Sequence, residues 1–200
     1  MLDLVWDMET SDPDDFLTLL LLLGHPDVNL KAVTVTPGSA AQVGLVRRAL
    51  GWFGRDLPVG AHNLDHPRDC VSAWHHEAFG AAPPSRDAEP AAEVLLRHCG
   101  PDTTLLTGGP LKNLGAAIRL DAGRGGGAFL VGRLVAQGGF AGEGVVPPER
   151  QLDKFKGLVT CPTYNLSDSN STHPRQTLYF PAFQKTTTPL NAPLYPSQRV

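Results

Sequence analysis

Leu2-Asp3-Leu4-Val5-Trp6-Asp7-Met8-Glu9-Thr10-Ser11-Asp12-Pro13-Asp14-Asp15, followed by Phe16-Leu17-Thr18-Leu19-Leu20-Leu21-Leu22-Leu23-Gly24, runs from a short apolar stretch through an acidic one into a longer apolar one. Leu2 to Trp6 reads as a buried strand and Asp14 to about Gly24 as a helix. Asp14 and Asp15 suit the positive end of that helix, and Gly24 with Pro26 stops it. The loop between them holds five carboxylates in nine residues (Asp7, Glu9, Asp12, Asp14, Asp15). Like charges so close raise one another's pKa unless a cation relieves them.

The same alternation continues outward. Leu30 to Thr36 is a β-branched strand closed by Pro37-Gly38, and Ala40 to Phe53 is an amphipathic helix. Leu57 to Gly60 is a short third strand, and a loop rich in His, Asp and Pro leads to a helix over about Ala91 to His98. Thr103 to Thr107 is a strand ending in Gly108-Gly109, and Pro110 opens a helix through Leu120. Leu134 to Gln137 is the last strand. Strands alternating with helices predict an α/β fold, an open and mostly parallel sheet with flanking helices. From Ser167 onward both periods disappear. Five prolines (Pro174, Pro181, Pro189, Pro193, Pro196) interrupt the rest, so residues 167–200 are expected to form an irregular, disordered tail beside a domain of residues 1–166.

The chain has 200 residues, 42% hydrophobic and 18% charged, with a net charge of -3. That suits one globular domain and offers no basic stripe for nucleic acid. Phe16 to Leu23 is too short to span a bilayer, and the acidic start is unlike a signal peptide. Cys70, Cys99 and Cys161 form no CxxC pair and read as reduced thiols, which points to the cytoplasm.

In an open α/β sheet, ligands bind at the carboxyl ends of strands, where this acidic loop lies. Hard oxygen ligands select Ca²⁺ or Mg²⁺, though the spacing is not that of an EF-hand. The plainer alternative is a solvated loop whose acids cap the next helix. A cluster of His62, His66, His75 and His76 fits no zinc spacing. Trp74-His75-His76-Glu77 either offers aromatic and imidazole groups of the kind that stack on nucleobases in a pocket or forms a surface loop and exposed helix.

The frame Val5-Trp6-Asp7-Met8-Glu9-Thr10-Ser11-Asp12-Pro13-Asp14-Asp15 resembles the Asp-x-Asp-Pro-Gly-x-Asp-Asp signature of the inosine/uridine-preferring nucleoside hydrolases, with one extra residue. Further similarities follow in order: Leu30 to Ser39, Leu57-Pro58-Val59-Gly60-Ala61, Thr107-Gly108-Gly109-Pro110-Leu111-Lys112-Asn113-Leu114, and Leu134 to Phe140. The resemblance covers residues 2 to 166. It implies cleavage of a small-molecule ribonucleoside to ribose and base, with one Ca²⁺ gripping the ribose hydroxyls and a nucleophilic water. By position it implies Asp7, Glu9, Asp15 and the Thr107 carbonyl at the metal. Glu9 is also the implied base, with Asp12 its alternative. Asp14 would contact a ribose hydroxyl, and Ser39 and Asn165 would stand where the family binds ribose. A homo-oligomer is possible for such a chain.

Departures from the pattern bear on activity. Ser39 replaces an asparagine and Thr163 a glutamate. The family's C-terminal His-Asp pair has no counterpart after Leu166, and His173-Pro174-Arg175 lacks the acid. The chain is therefore expected to be incomplete as an enzyme, and an inactive remnant is the alternative to a working hydrolase. A Mg²⁺-dependent phosphohydrolase is a third reading. Asp7-Met8-Glu9 is not the Asp-x-Asp it would need, and Lys112 is its only candidate lysine.

Overall fold

A computed structural model describes residues 1–127 and 129–137, together with Glu149 and Asn165. Residues 167–200, Thr163, Cys161 and His173 lie outside the described residues. Six strands form one parallel sheet: β1 (Leu2–Met8), β2 (Val28–Val35), β3 (Val59–Ala61), β4 (Glu89–Pro90), β5 (Thr104–Thr107) and β6 (Arg133–Ala136). Their order across the sheet is β4-β3-β2-β1-β5-β6, and every pairing is parallel.

The helices among the described residues are α1 (Asp14–Gly24), α2 (Ala40–Trp52), α3 (Ala73–Phe79), α4 (Ala91–His98) and α5 (Lys112–Gly123). The expected α/β sheet is thus present. The chain steps outward from β1 to β4, then returns to β1's other side with β5. That reversal puts a crevice between the carboxyl ends of β1 and β5, the position where open sheets of this kind take ligands.

The core follows the sequence pattern. Leu4, Val5, Trp6 and Met8 of β1 are all buried, as a central parallel strand covered on both faces requires. Phe16, Leu19, Leu22 and Leu23 form the buried side of α1. Phe16 meets Trp52, His75 and Phe79 at ring-centroid distances of 6.3, 5.3 and 5.4 Å, so α1, α2 and α3 share this aromatic cluster. Full burial of a side chain such as Phe16 is worth about 1.5–3 kcal/mol.

Strand β4 was not read from the sequence, and α3 realises the helix offered as the alternative for Trp74 to Glu77, though with His75 buried rather than exposed. Each is short, and α3 carries Trp74, His75, His76 and Glu77, which present no apolar period. Tertiary contact with Phe16 holds α3 in place, not local preference. The chain enters α2 through a capping box, in which Ser39 accepts from the Gln42 amide and Gln42 answers with its side chain. Gly38 just before it has φ of 88° and no room for a Cβ against the His62 amide. Among the described residues, no helix is long and apolar enough to cross a membrane.

Candidate active site

The acidic loop follows the carboxyl end of β1, beside the end of β5. Asp7 lies in a lateral row of the sheet, in register with Thr34 of β2 and Thr107 of β5. Its side chain is fully buried, and Oδ1 accepts from Thr34 Oγ1 at 2.6 Å and from Asn113 Nδ2 at 2.8 Å. Oδ2 is buried and has no hydrogen-bond partner among the described residues. Burial pushes the Asp7 carboxyl up to about 6, against the pull of the Asn113 and Thr34 hydrogen bonds.

Asp15, in the first turn of α1, is also buried. Its Oδ2 accepts from the Glu9 backbone amide at 2.9 Å. Burial raises its pKa to about 7. The Glu9 amide opposes that shift, and the neighbouring charges of Asp14, Glu9 and Asp7 add to it. The carboxylate rests against the Cα of Gly108, where any Cβ would overlap it. The glycine after β5 is therefore required by Asp15, while Gly108 N–H donates to the Asp7 carbonyl at 2.8 Å.

The other residues singled out in the sequence lie around this pair. Glu9 is half-buried and folds back on its own loop, accepting from the amides of Ser11 and Asp12. Asp14 is exposed and accepts from Gln137 Nε2 at 3.2 Å. The Thr107 carbonyl accepts from Gln137 N–H at 2.8 Å, and its hydroxyl is buried without a partner among the described residues. Asn165 donates from Nδ2 to the carbonyls of Gly108 (2.6 Å) and Gln137 (3.0 Å), so it lies over the ends of β5 and β6. Ser39 opens α2: its hydroxyl donates to the Asp69 carbonyl and accepts the Gln42 amide as the cap of that helix.

The reading of these acids as helix caps does not match the contacts. The cap position of α1 is Pro13, with no side-chain hydrogen bond, and the Asp15 carboxylate turns to Glu9 instead. His75 is core: it is fully buried, stands edge-on to Phe16, and shares a 2.8 Å contact through Nδ1 with Ser72 Oγ. Burial lowers its pKa. His62, by contrast, is on the surface.

Four residues of this region carried no assigned role in the sequence: Thr34, Asn113, Thr10 and Gln42. Each is a fully buried polar side chain. Thr34 could have been suspected as the polar residue of the apolar run Ala32-Val33-Thr34-Val35. Asn113 could have been suspected as the polar member of the buried stripe Asn113, Leu114, Ala117 of α5. Thr10 and Gln42 gave no comparable signal.

A hard cation fits the chemistry of the donors in part. Two buried carboxylates with elevated pKa, an unpartnered Asp7 oxygen and the Thr107 hydroxyl are all oxygen ligands of the kind Ca²⁺ accepts. Among the described residues, no three His, Cys, Asp or Glu side chains already converge as a metal cage. Glu9 would have to release the amides of Ser11 and Asp12 to join one.

No family model matches the chain, and neither does any curated protein. Solved structures do. A plant nucleoside hydrolase superposes with a TM-score of 0.51 at 24% identity, over 68% of this chain and 48% of its own. The inosine-uridine preferring nucleoside hydrolase from Bacillus anthracis gives 0.49 at 24% identity, over 74% of this chain and 55% of its own. The purine-preferring ribonucleoside hydrolase from Gardnerella vaginalis gives 0.46 at 21%, over 70% and 51%. The chain spans about half the length of these enzymes. With its six parallel strands in this order and its flanking helices, the chain has the nucleoside hydrolase fold.

Proposed function

We propose that this chain acts on ribonucleosides, cleaving the N-glycosidic bond with water to give ribose and free base, with Ca²⁺ as the cofactor. The observation that carries the reading is the pair of buried carboxylates, Asp7 and Asp15, raised to about 6 and about 7 at the crevice between β1 and β5. Burying two such groups in one region is unfavourable unless a cation or a reaction uses them. The fold agrees with this reading, although a fold alone does not specify chemistry.

Asp7, Asp15, Glu9 and the Thr107 carbonyl are the groups we assign to the cation. Bound there, Ca²⁺ would grip two ribose hydroxyls and lower the pKa of an attacking water. Glu9 takes that water's proton at its carboxylate. Asp14 accepts a hydrogen bond from a ribose hydroxyl, and the Asn165 side-chain oxygen accepts another. The ring of carboxylates stabilises the positive charge that grows on the sugar as the bond to the base breaks. Ser39 has its hydroxyl in the helix cap, so we give it no sugar contact. The free thiols of Cys70 and Cys99 accord with work in the cytoplasm.

Release of reducing sugar from inosine or uridine, with Ca²⁺ or with a chelator, tests the reading. Glu9→Gln should lower kcat by a factor of about 10²–10⁴ and change substrate affinity far less, because the base acts in the transition state. Ordinary turnover by Glu9→Gln would move the role to Asp12. No sugar release by the native chain would replace the hydrolase with a non-catalytic, nucleoside-hydrolase-like chain.

A further inference from the structure

The middle of the acidic loop is held by a residue far from it in sequence. Gln42, in the first turn of α2, is fully buried, and both ends of its amide are engaged. Oε1 accepts from the backbone amides of Gly38 (2.8 Å) and Ser39 (3.1 Å). Nε2 donates to Thr10 Oγ1 (2.9 Å) and to the Thr36 carbonyl (3.2 Å). One side chain thus joins the end of β2, the start of α2 and the acidic loop.

Thr10 is the loop's point of attachment. It too is fully buried, although it lies between Glu9 and the exposed Ser11 and Asp12. While accepting from Gln42, its hydroxyl donates to the Cys70 carbonyl at 2.7 Å, and its own carbonyl accepts from Ser72 N–H at 3.0 Å. The hydroxyl's donor and acceptor roles are both in use, so its orientation is fixed. The residue just before it supplies the amide that holds Asp15.

We propose that Gln42 is a positioning residue for the acidic loop. Acting through Thr10, it fixes where Glu9 and Asp15 present their carboxylates without touching substrate or cation itself. The role follows from asymmetry: the Oε1 half of the amide completes the capping box, whereas the Nε2 half reaches the loop, which capping does not require. A buried network of this kind is rigid only while every member is satisfied. The proposal deepens the reading of the loop as a calcium site.

Gln42→Glu, Gln42→Leu, Thr10→Val and Thr10→Ser are the test variants. Calcium titration calorimetry and hydrogen exchange at the Glu9 amide of the metal-free chain are the readouts. Thr10→Val removes one hydroxyl and leaves the cap intact, so it remains informative if the Gln42 variants fail to fold. Gln42→Glu, Gln42→Leu and Thr10→Val should each weaken calcium binding roughly tenfold and speed Glu9 exchange by a similar factor, with Thr10→Ser restoring both. The Gln42→Glu/Thr10→Val double variant should be little worse than either single one, since both break the same link. Additive losses, or native exchange at Glu9 in Thr10→Val, would overturn the proposal. If the native chain binds no calcium, the calcium reading falls, and Glu9 exchange still decides the role of Gln42.

Discussion

Asp15→Asn should abolish the heat of calcium binding and lower any turnover by a factor of about 10³, the scale expected when one charged group at the reacting centre is lost. The same variant, without metal at pH 8, should be more stable than the native chain. Asp15 is a buried carboxyl raised from its ordinary 3.8 to about 7, mainly by burial. At pH 8 it must be ionised in a place that disfavours the charge, and the amide removes that penalty while keeping the shape and an acceptor for the Glu9 amide. Near pH 4.5 the native carboxyl is protonated and the advantage should disappear. Thermal melts of both proteins at the two pH values check the stability, and calorimetry checks the metal. A variant less stable at pH 8 would show that Asp15 is held by contacts worth more than its burial costs. Gain of stability with loss of function is what a site built from unfavourable charges predicts.

Stability of the metal-free native chain should fall as pH rises from about 5 to 8, and saturating Ca²⁺ should remove most of that fall. Asp7 and Asp15 both have folded pKa values above their unfolded ones. The folded chain therefore binds their protons more tightly, and their contribution is fully present below about pH 4. It is lost as pH passes 6 and then 7. With about 1.4 kcal/mol for each pH unit between folded and unfolded values, the cost is roughly 3 kcal/mol for Asp7 and roughly 4–5 kcal/mol for Asp15. For a chain of this size each kcal/mol is about 2–4 °C in Tm, so the fall is readily measured. Burial acts in the opposite direction on His75, whose pKa is lowered. Its neutral form is favoured in the fold, so stability is also lost as pH falls through the histidine range. A maximum on the acidic side of neutrality follows. Melts across pH 4 to 9, with calcium and with chelator, measure it. A metal-free chain that grows more stable from pH 6 to 8 would contradict the buried state of both carboxyls.

Much of this architecture was legible because buried parallel strands and amphipathic helices write their period into the chain. The bounds of α1 follow from Asp14 at its start and Gly24 at its end, and α4 from its apolar stripe of Ala91, Val94 and Leu95. The acidic loop was legible as a candidate site because five carboxylates in nine residues require an explanation. Its internal geometry was not. Ser39 stands at a position read as sugar-binding, yet the local pattern Ser39-Ala40-Ala41-Gln42 is also that of a capping box, and the hydroxyl is engaged there. The partners of Asp7 come from β2 and from α5, 27 and 106 residues away. No local pattern announces contacts of that range. Helix α3 was legible only as an exposed helix for a related reason, since its one buried residue is a histidine packed on Phe16.

The two-residue strand β4 has a consequence for how this protein meets others. It pairs with β3 only through Glu89 and Pro90. Proline carries no N–H, and two residues offer too short a ladder to template another chain, so on that side the sheet has a finished border. Glu89 adds a charge there, tied to Arg97 at 2.6 Å. A second copy joining this molecule at the β4 border could not do so by extending the sheet. Assembly on that flank has to proceed through side chains on helical surfaces, which lets selection tune or remove a contact one residue at a time and leaves the backbone at the ends of β1 and β5 undisturbed.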